Sequence, residues 1–325
     1  MTIFILTIIG GFALLVWGAD RFVTGAAALA RNLGVSPLVI GLTIVGFGTS
    51  APEMLVSAMA AWQGNAGIAV GNAIGSNITN IALILGVTAL IAPLDINSRT
   101  LKRELPVLLG VMIAGLFLLL DGDLSRTDGT VLLAGFLVML AWMLRMALTG
   151  RNEDPLVTEF SEEIPRDMRT AMALLWLAVG LTVLLLSSRL LVWGAVGIAQ
   201  ALGVSDLIIG LTIVALGTSL PELAASIVSA LKREHDIAVG NVIGSNLFNL
   251  LVVLGLPGLI RPLEISADVL TRDYPAMIGL TVLFFLMAYG FRGPGTIHRS
   301  KGALLLACYL GYQTLLYFSA RATGA

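Results

Sequence analysis

GVSPLVIGLTIVGFGTSAPEMLVSAMAAWQGNAGIAVGNAIGSNITNIALILGV occupies residues 34–87, and GVSDLIIGLTIVALGTSLPELAASIVSALKREHDIAVGNVIGSNLFNLLVVLGL occupies residues 203–256. At a constant offset of 169, 29 of these 54 positions are identical without a gap, more than chance allows even between apolar segments. The register continues past the block, where Arg103, Glu104 and Pro106 meet Arg272, Asp273 and Pro275. The chain is therefore two copies of one unit, and whatever each copy builds, the other builds again.

The composition says where the two copies live. Of 325 residues, 57% are hydrophobic and 12% charged, against roughly 25% charged in a soluble domain. That is too little charge to cover a water-facing surface of this size. Runs such as 3–17, 105–120 and 131–142 are nearly free of polar residues, and a helix needs about 20 mostly apolar residues to cross the hydrocarbon. The reading is an all-α integral membrane protein of ten transmembrane helices. The spans fall at 2–31, 37–62, 67–91, 100–120 and 127–147, then at 170–200, 206–231, 236–260, 270–290 and 300–319. Residues 1–149 make the first five-helix repeat, 150–169 a polar connector and 170–325 the second repeat. The N-terminus has no basic region ahead of its apolar run, so it reads as the first span and not as a signal peptide. A net charge of −1 and basic residues confined to loops give no footprint for nucleic acid. The single Cys308 excludes an intrachain disulfide and a cysteine metal site. No obligate protein partner is evident beyond the surrounding lipid.

Five is an odd number, so the second copy must cross the membrane in the opposite sense. The loop charges agree. With both termini outside, thirteen Lys and Arg fall on the cytoplasmic side and four outside; the reverse placement inverts the count. The turn at 62–67 carries no charge, whereas its copy at 231–236 carries Lys232 and Arg233. The expected topology is two inverted five-helix repeats with a cytoplasmic connector. Inverted repeats are common among secondary transporters, whose sites lie near the midplane on interrupted helices.

Each copy carries two polar motifs. GTSxPE places Gly48, Thr49, Ser50, Pro52 and Glu53 against Gly217, Thr218, Ser219, Pro221 and Glu222. GNxxGSNxxN places Asn72, Ser76, Asn77 and Asn80 against Asn241, Ser245, Asn246 and Asn249. Glu53 and Glu222 sit near the centres of their spans, where a carboxylate costs about 2.5–3.5 kcal/mol on insertion scales and usually marks function. Proline lacks an N–H and clashes one turn back, so the backbone is expected to open around Pro52 and Pro221. Such openings must line protein or a water-filled cavity. Folding the inverted copies together would bring Glu53, Asn80, Glu222 and Asn249 to one centre. Carboxylates, amide oxygens, hydroxyls and carbonyls make an all-oxygen donor set suited to a hard cation; softer metals take Cys or His. His235 and His298 fall at loops and read as solvated. Close helix packing accounts for the pairs Gly71/Gly75 and Gly240/Gly244 without a ligand, and Asn72 and Asn241 read equally as interhelical glue.

GTSAPE with GNAIGSNITN, and GTSLPE with GNVIGSNLFN, resemble the two alpha repeats of the calcium/cation antiporter superfamily. The likeness covers essentially the whole chain and is strongest to its short bacterial calcium/sodium antiporters. It implies ten helices, an inner-membrane location, alternating access and exchange of Ca2+ for Na+, with no cofactor. Carried over by motif, Glu53 and Glu222 would be the central ligands. Thr49, Ser50, Thr218, Ser219, Ser76, Ser245, Asn80 and Asn249 would complete the cation sites. Sodium/calcium exchangers that resemble this chain have Asp where Asn249 stands, so two carboxylates remain here instead of three. An exchanger coupled to H+ or using other cations through the same site is the alternative. A passive channel ranks below it, and an intramembrane hydrolase lacks its motifs: neither HExxH nor GxSxG occurs.

Overall fold

In a computed structural model of the chain, residues 2–35, 40–96, 101–149, 168–202, 215–289 and 295–322 are described. The first repeat runs α1 (Thr2–Leu33), α2 (Gly41–Thr49), α3 (Ala51–Trp62), α4 (Ala66–Ile91), β1 (Leu94–Ile96), α5 (Leu101–Leu119), β2 (Asp123–Leu124) and α6 (Arg126–Thr149). The second runs α7 (Thr170–Ala201), α8 (Ala215–Thr218), α9 (Leu220–Leu231), α10 (His235–Ile260), β3 (Leu263–Glu264), α11 (Val269–Ala288), β4 (Gly295–Ile297) and α12 (Arg299–Ala322). Among the described residues six helices are long and apolar enough to cross a membrane, or seven with the bent pair α2 and α3 taken as one span. Adding α5, α6 and the pair α8 and α9 gives ten crossing segments in chain order. The expected connector at 150–167 and the expected helical starts at 37–39 and 206–214 lie outside the described residues.

Local chemistry sets the helix ends. α1 stops at Gly34, which has a φ of 63°, where the missing Cβ removes the left-handed penalty. The Val35 N–H then donates to the Ala30 carbonyl at 2.9 Å, closing a Schellman turn. α4 begins at Asn65, whose side chain accepts from the Ile68 N–H at 3.1 Å, a regular N-cap.

The chain folds into two compact units, Met1–Leu55 with Val138–Ser245, and Val56–Leu137 with Asn246–Ala325. Each unit takes segments from both repeats. In the first unit α1 packs along α7, its own counterpart, and the two run antiparallel. A Cβ placed on Gly25 would come within 2.6 Å of the Leu177 nitrogen and 2.7 Å of the Ala173 oxygen. One placed on Gly194 would come within 2.8 Å of Ile8 and 3.0 Å of the Phe4 oxygen. Shifting by 169 converts Gly25 to Gly194, Phe4 to Ala173 and Ile8 to Leu177. The contacts therefore obey a pseudo-two-fold relation between oppositely directed copies, which is the inverted repeat seen as geometry. Phe22, Val45, Leu184, Leu191 and Ala225 fill the core beside this seam.

In the second unit the same relation appears in the strands. Leu94 pairs with Ile297 in β1 and β4, and Leu124 with Leu263 in β2 and β3; β1 and β3 are counterparts at the offset of 169. α12 packs on α4 where Gly86 and Gly302 let the two backbones approach, and Arg299 donates to the Leu90 carbonyl at 3.1 Å.

Candidate functional site

Both GTSxPE motifs break their helices at the serine. Ser50 has φ −80° and ψ 4°, Ser219 φ −90° and ψ 4°, and neither continues the helix. α2 and α3 meet at 51°. Pro52 and Pro221 occupy the second position of the helix that follows, where a missing N–H is tolerated. The break thus sits two residues ahead of each proline. At Pro221 the missing N–H leaves the Gly217 carbonyl without its helical partner, and the Ser188 hydroxyl donates to it at 2.6 Å.

This geometry places Glu53 in the first turn of α3 and Glu222 in the first turn of α9. Unpaired N–H groups and the positive end of the helix dipole favour an anion there. That offsets part of the cost of burial, for each glutamate is 1% exposed. The hydroxyls of one repeat serve the carboxylate of the other. Ser50 donates to Glu222 Oε1 at 3.2 Å, with Thr49 beside it. Ser219 and Thr218 lie beside Glu53. The second oxygen of Glu222 is buried with no hydrogen-bond partner among the described residues. Two buried carboxyl groups with acceptor capacity left over are a candidate place for a cation.

Around them, Thr49 contacts the Val45 carbonyl at 3.1 Å and Asn241 Oδ1 at 3.1 Å. Asn241 Nδ2 donates to the Glu222 carbonyl at 3.2 Å and to Ser226 at 3.0 Å. Ser245 reaches the Gly46 carbonyl at 3.5 Å. The first unit thereby brings together Thr49, Ser50, Glu53, Thr218, Ser219, Glu222 and Ser245.

The second unit gathers amides. Asn80 Nδ2 donates to Asn246 Oδ1 at 3.0 Å, and Asn249 Nδ2 to Asn77 Oδ1 at 3.5 Å. These two bonds are counterparts across the repeat. Asn80 and Asn249 both lie in π-helical stretches, 79–84 and 249–253, a wide turn found often at functional sites. Ser76 is buried one turn ahead of Asn80. Asn72 donates to Ser57 at 2.9 Å, as its counterpart Asn241 does to Ser226. Ser57 and Ser226 went unread in the sequence, although both are among the identical positions of the repeat.

The tight-packing reading of the GxxxG glycines divides. A Cβ on Gly244 would collide with the Leu42 backbone, whereas among the described residues Gly71 and Gly75 have nothing within 4 Å. Among the described residues no group of three or more His, Cys, Asp or Glu comes together, so the donors are two carboxylates and neutral oxygens.

Paired buried carboxylates on broken helices, in two inverted copies of five helices, define a multi-pass secondary ion transporter. Comparison with known proteins narrows that class. The profile described as "Sodium/calcium exchanger protein" matches residues 3–145 and 172–318, and the chain belongs to this family. It is 42% identical to the "Inner membrane protein YrbG" of Escherichia coli (strain K12), covering 96% of each chain. It is 32% identical to the "Sodium/calcium exchanger MaX1" of Methanosarcina acetivorans, over 98% of this chain and 99% of that one. A solved structure of the sodium-calcium exchanger NCX_Mj superposes with a TM-score of 0.84 at 35% identity, covering 97% of this chain and 100% of the other.

Proposed function

We propose that this protein exchanges Ca2+ for Na+ by alternating access, with Glu53 and Glu222 as the ligands for which the two ions compete. The observation that carries the reading is the reciprocal arrangement of the carboxylates. Each sits at a helix break, buried, and held by hydroxyls of the opposite repeat. Two carboxylates balance one Ca2+, an ion that takes 6–8 oxygen ligands. Thr49, Ser50, Thr218, Ser219, Ser76 and Ser245 are proposed as hydroxyl ligands, Asn80 and Asn249 as amide ligands. Alternating occupancy by Ca2+ and Na+ then couples the two gradients, because the same oxygens serve both.

In this reading residues 1–149 and 170–325 act as the two inverted repeats, joined by a cytoplasmic connector at 150–169. The membrane is the inner one, and both termini lie on its outer side, away from the cytoplasm. The excess of Lys and Arg in the connector and its neighbouring loops supports the orientation, and the name of the Escherichia coli relative supports the membrane.

Uptake of radiolabelled Ca2+ into Na+-loaded proteoliposomes is the test, beside Na+-free vesicles and vesicles holding Glu53→Gln or Glu222→Gln. Uptake that needs the Na+ gradient and vanishes in both variants is the expected result. Normal exchange by either variant would sink the site assignment. One observation favours a second reading: Asn249 is neutral, which limits the charge available to several Na+ at once. Uptake driven by a pH gradient in Na+-free vesicles would make H+ the coupling ion.

A further inference from the structure

The amides of Asn80 and Asn249 can serve a cation only through their oxygens. A primary amide has two faces, one acceptor and one donor of two hydrogens, and the donor face repels a cation. Something must decide which face each amide presents. The described structure contains a decision for Asn249 and the matching bond for Asn80.

Asn77 Nδ2 donates to the Met277 sulfur at 3.4 Å. A thioether can only accept, so this contact commits the Asn77 amide to keep its nitrogen toward Met277 and its oxygen away. That oxygen accepts from Asn249 Nδ2 at 3.5 Å, so the nitrogen of Asn249 is used on Asn77 and its oxygen turned elsewhere. Asn249 Oδ1 is buried and has no hydrogen-bond partner among the described residues. The counterpart chain repeats the second link only, for Asn246 Nδ2 is buried without a partner among the described residues. Asn246 Oδ1 accepts from Asn80 Nδ2 at 3.0 Å, and Asn80 Oδ1 is likewise buried without a partner among the described residues. All four amides are at most 1% exposed, so bulk water does not supply the missing contacts. Left with nothing to bind, a buried acceptor costs about 1–3 kcal/mol; two such acceptors, related by the repeat, point to a ligand that both accept.

We infer that Asn77 and Asn246 are positioning residues, which hold Asn249 and Asn80 by their amide nitrogens so that both carbonyl oxygens face the transported cation. The inference rests on the Ca2+/Na+ reading of the site and gives a reason for Asn at the third position of the GSNxxN run in both copies. The two sides differ in one respect. Met277 anchors Asn77, while the counterpart of Met277 is Leu108, which offers no acceptor. Asn249 is therefore oriented through two links and Asn80 through one.

A double-mutant cycle in full-length protein reconstituted in vesicles tests this, reading KM for Ca2+ and kcat separately. Asn246→Ala is expected to raise KM by about fivefold to tenfold, the effect of one lost neutral hydrogen bond, and Asn80→Ala, which removes the ligand oxygen itself, to raise it at least as much. In the double variant KM rises no further than in Asn80→Ala alone, because Asn246 acts only through Asn80. Effects that multiply would show a packing role and overturn the inference. Met277→Leu keeps the volume and removes only the acceptor; it raises KM in the parent and leaves it unchanged in an Asn249→Ala background. A Met277→Leu protein with parental KM would also overturn the inference. Glu222→Gln run in parallel separates the two levels. If it is inactive while the cycle is additive, the positioning role alone fails; if it exchanges normally, the site reading fails and the inference with it.

Discussion

Ser50 donates to Glu222, and the same serine ends the helix that precedes Glu53. One residue thus shapes its own repeat and compensates the carboxylate of the other. A hydrogen bond to a charged group contributes about 1.5–3 kcal/mol. Ser50→Ala is expected to raise the KM for Ca2+ by about tenfold or more, and Ser219→Ala by a similar factor, since Ser219 serves Glu53 in the same way. Unequal effects in initial-rate measurements would show that the two carboxylates do different work. Asn249→Asp tests charge instead of contact. A third carboxylate allows an additional monovalent cation, so the dependence of Ca2+ uptake on Na+ concentration should steepen. Against that gain, the new carboxylate would face the Asn77 oxygen and lose the donor contact described above. Glu53 and Glu222 stood out by depth, and Asn80 and Asn249 by motif. The roles of Asn77, Asn246, Ser57 and Ser226 were not readable, because each depends on a partner that only the fold brings near.

At the scale of elements, the sequence places the openings around the prolines with Gly48 and Gly217 beside them, and the helices break between glycine and proline, at Ser50 and Ser219. The physical reason is that a proline in the first turn of a helix breaks nothing; it fits there, and the disruption passes to the residue ahead. Spacing in a sequence shows the stretch in which the helix opens, but not the residue at which it stops. The seam of α1 and α7 is clearer. Gly25 has backbone atoms of α7 at 2.6 and 2.7 Å from where its Cβ would be, whereas Gly10 has nothing within 4 Å. Gly25→Ala forces the helices apart, an overpacking cost of about 1–3 kcal/mol, and should lower the apparent Tm of detergent-solubilised protein; Gly10→Ala should leave it unchanged or raise it slightly. Near the same seam Lys232 pairs with Asp20 at 2.8 Å and donates to Thr24 at 2.6 Å. Both charged side chains are about a third exposed or more, so the pair contributes within about 0–1 kcal/mol. Asp20→Asn is expected to cost little stability, and less still at high salt, in thermal unfolding followed at two ionic strengths.

For the whole molecule, the repeat makes two halves that answer each other. Along the seam of α1 and α7, Gly25 lies against Ala173 and Leu177, and Gly194 lies against Phe4 and Ile8, the counterparts of those residues. That correspondence has a consequence for every substitution in the molecule. Where the halves are interchangeable, a change made in one copy forecasts the same change made in the other. Gly194→Ala is therefore expected to lower the apparent Tm of detergent-solubilised protein by about as much as Gly25→Ala; unequal shifts in thermal unfolding would show that the two ends of the seam answer to different neighbours.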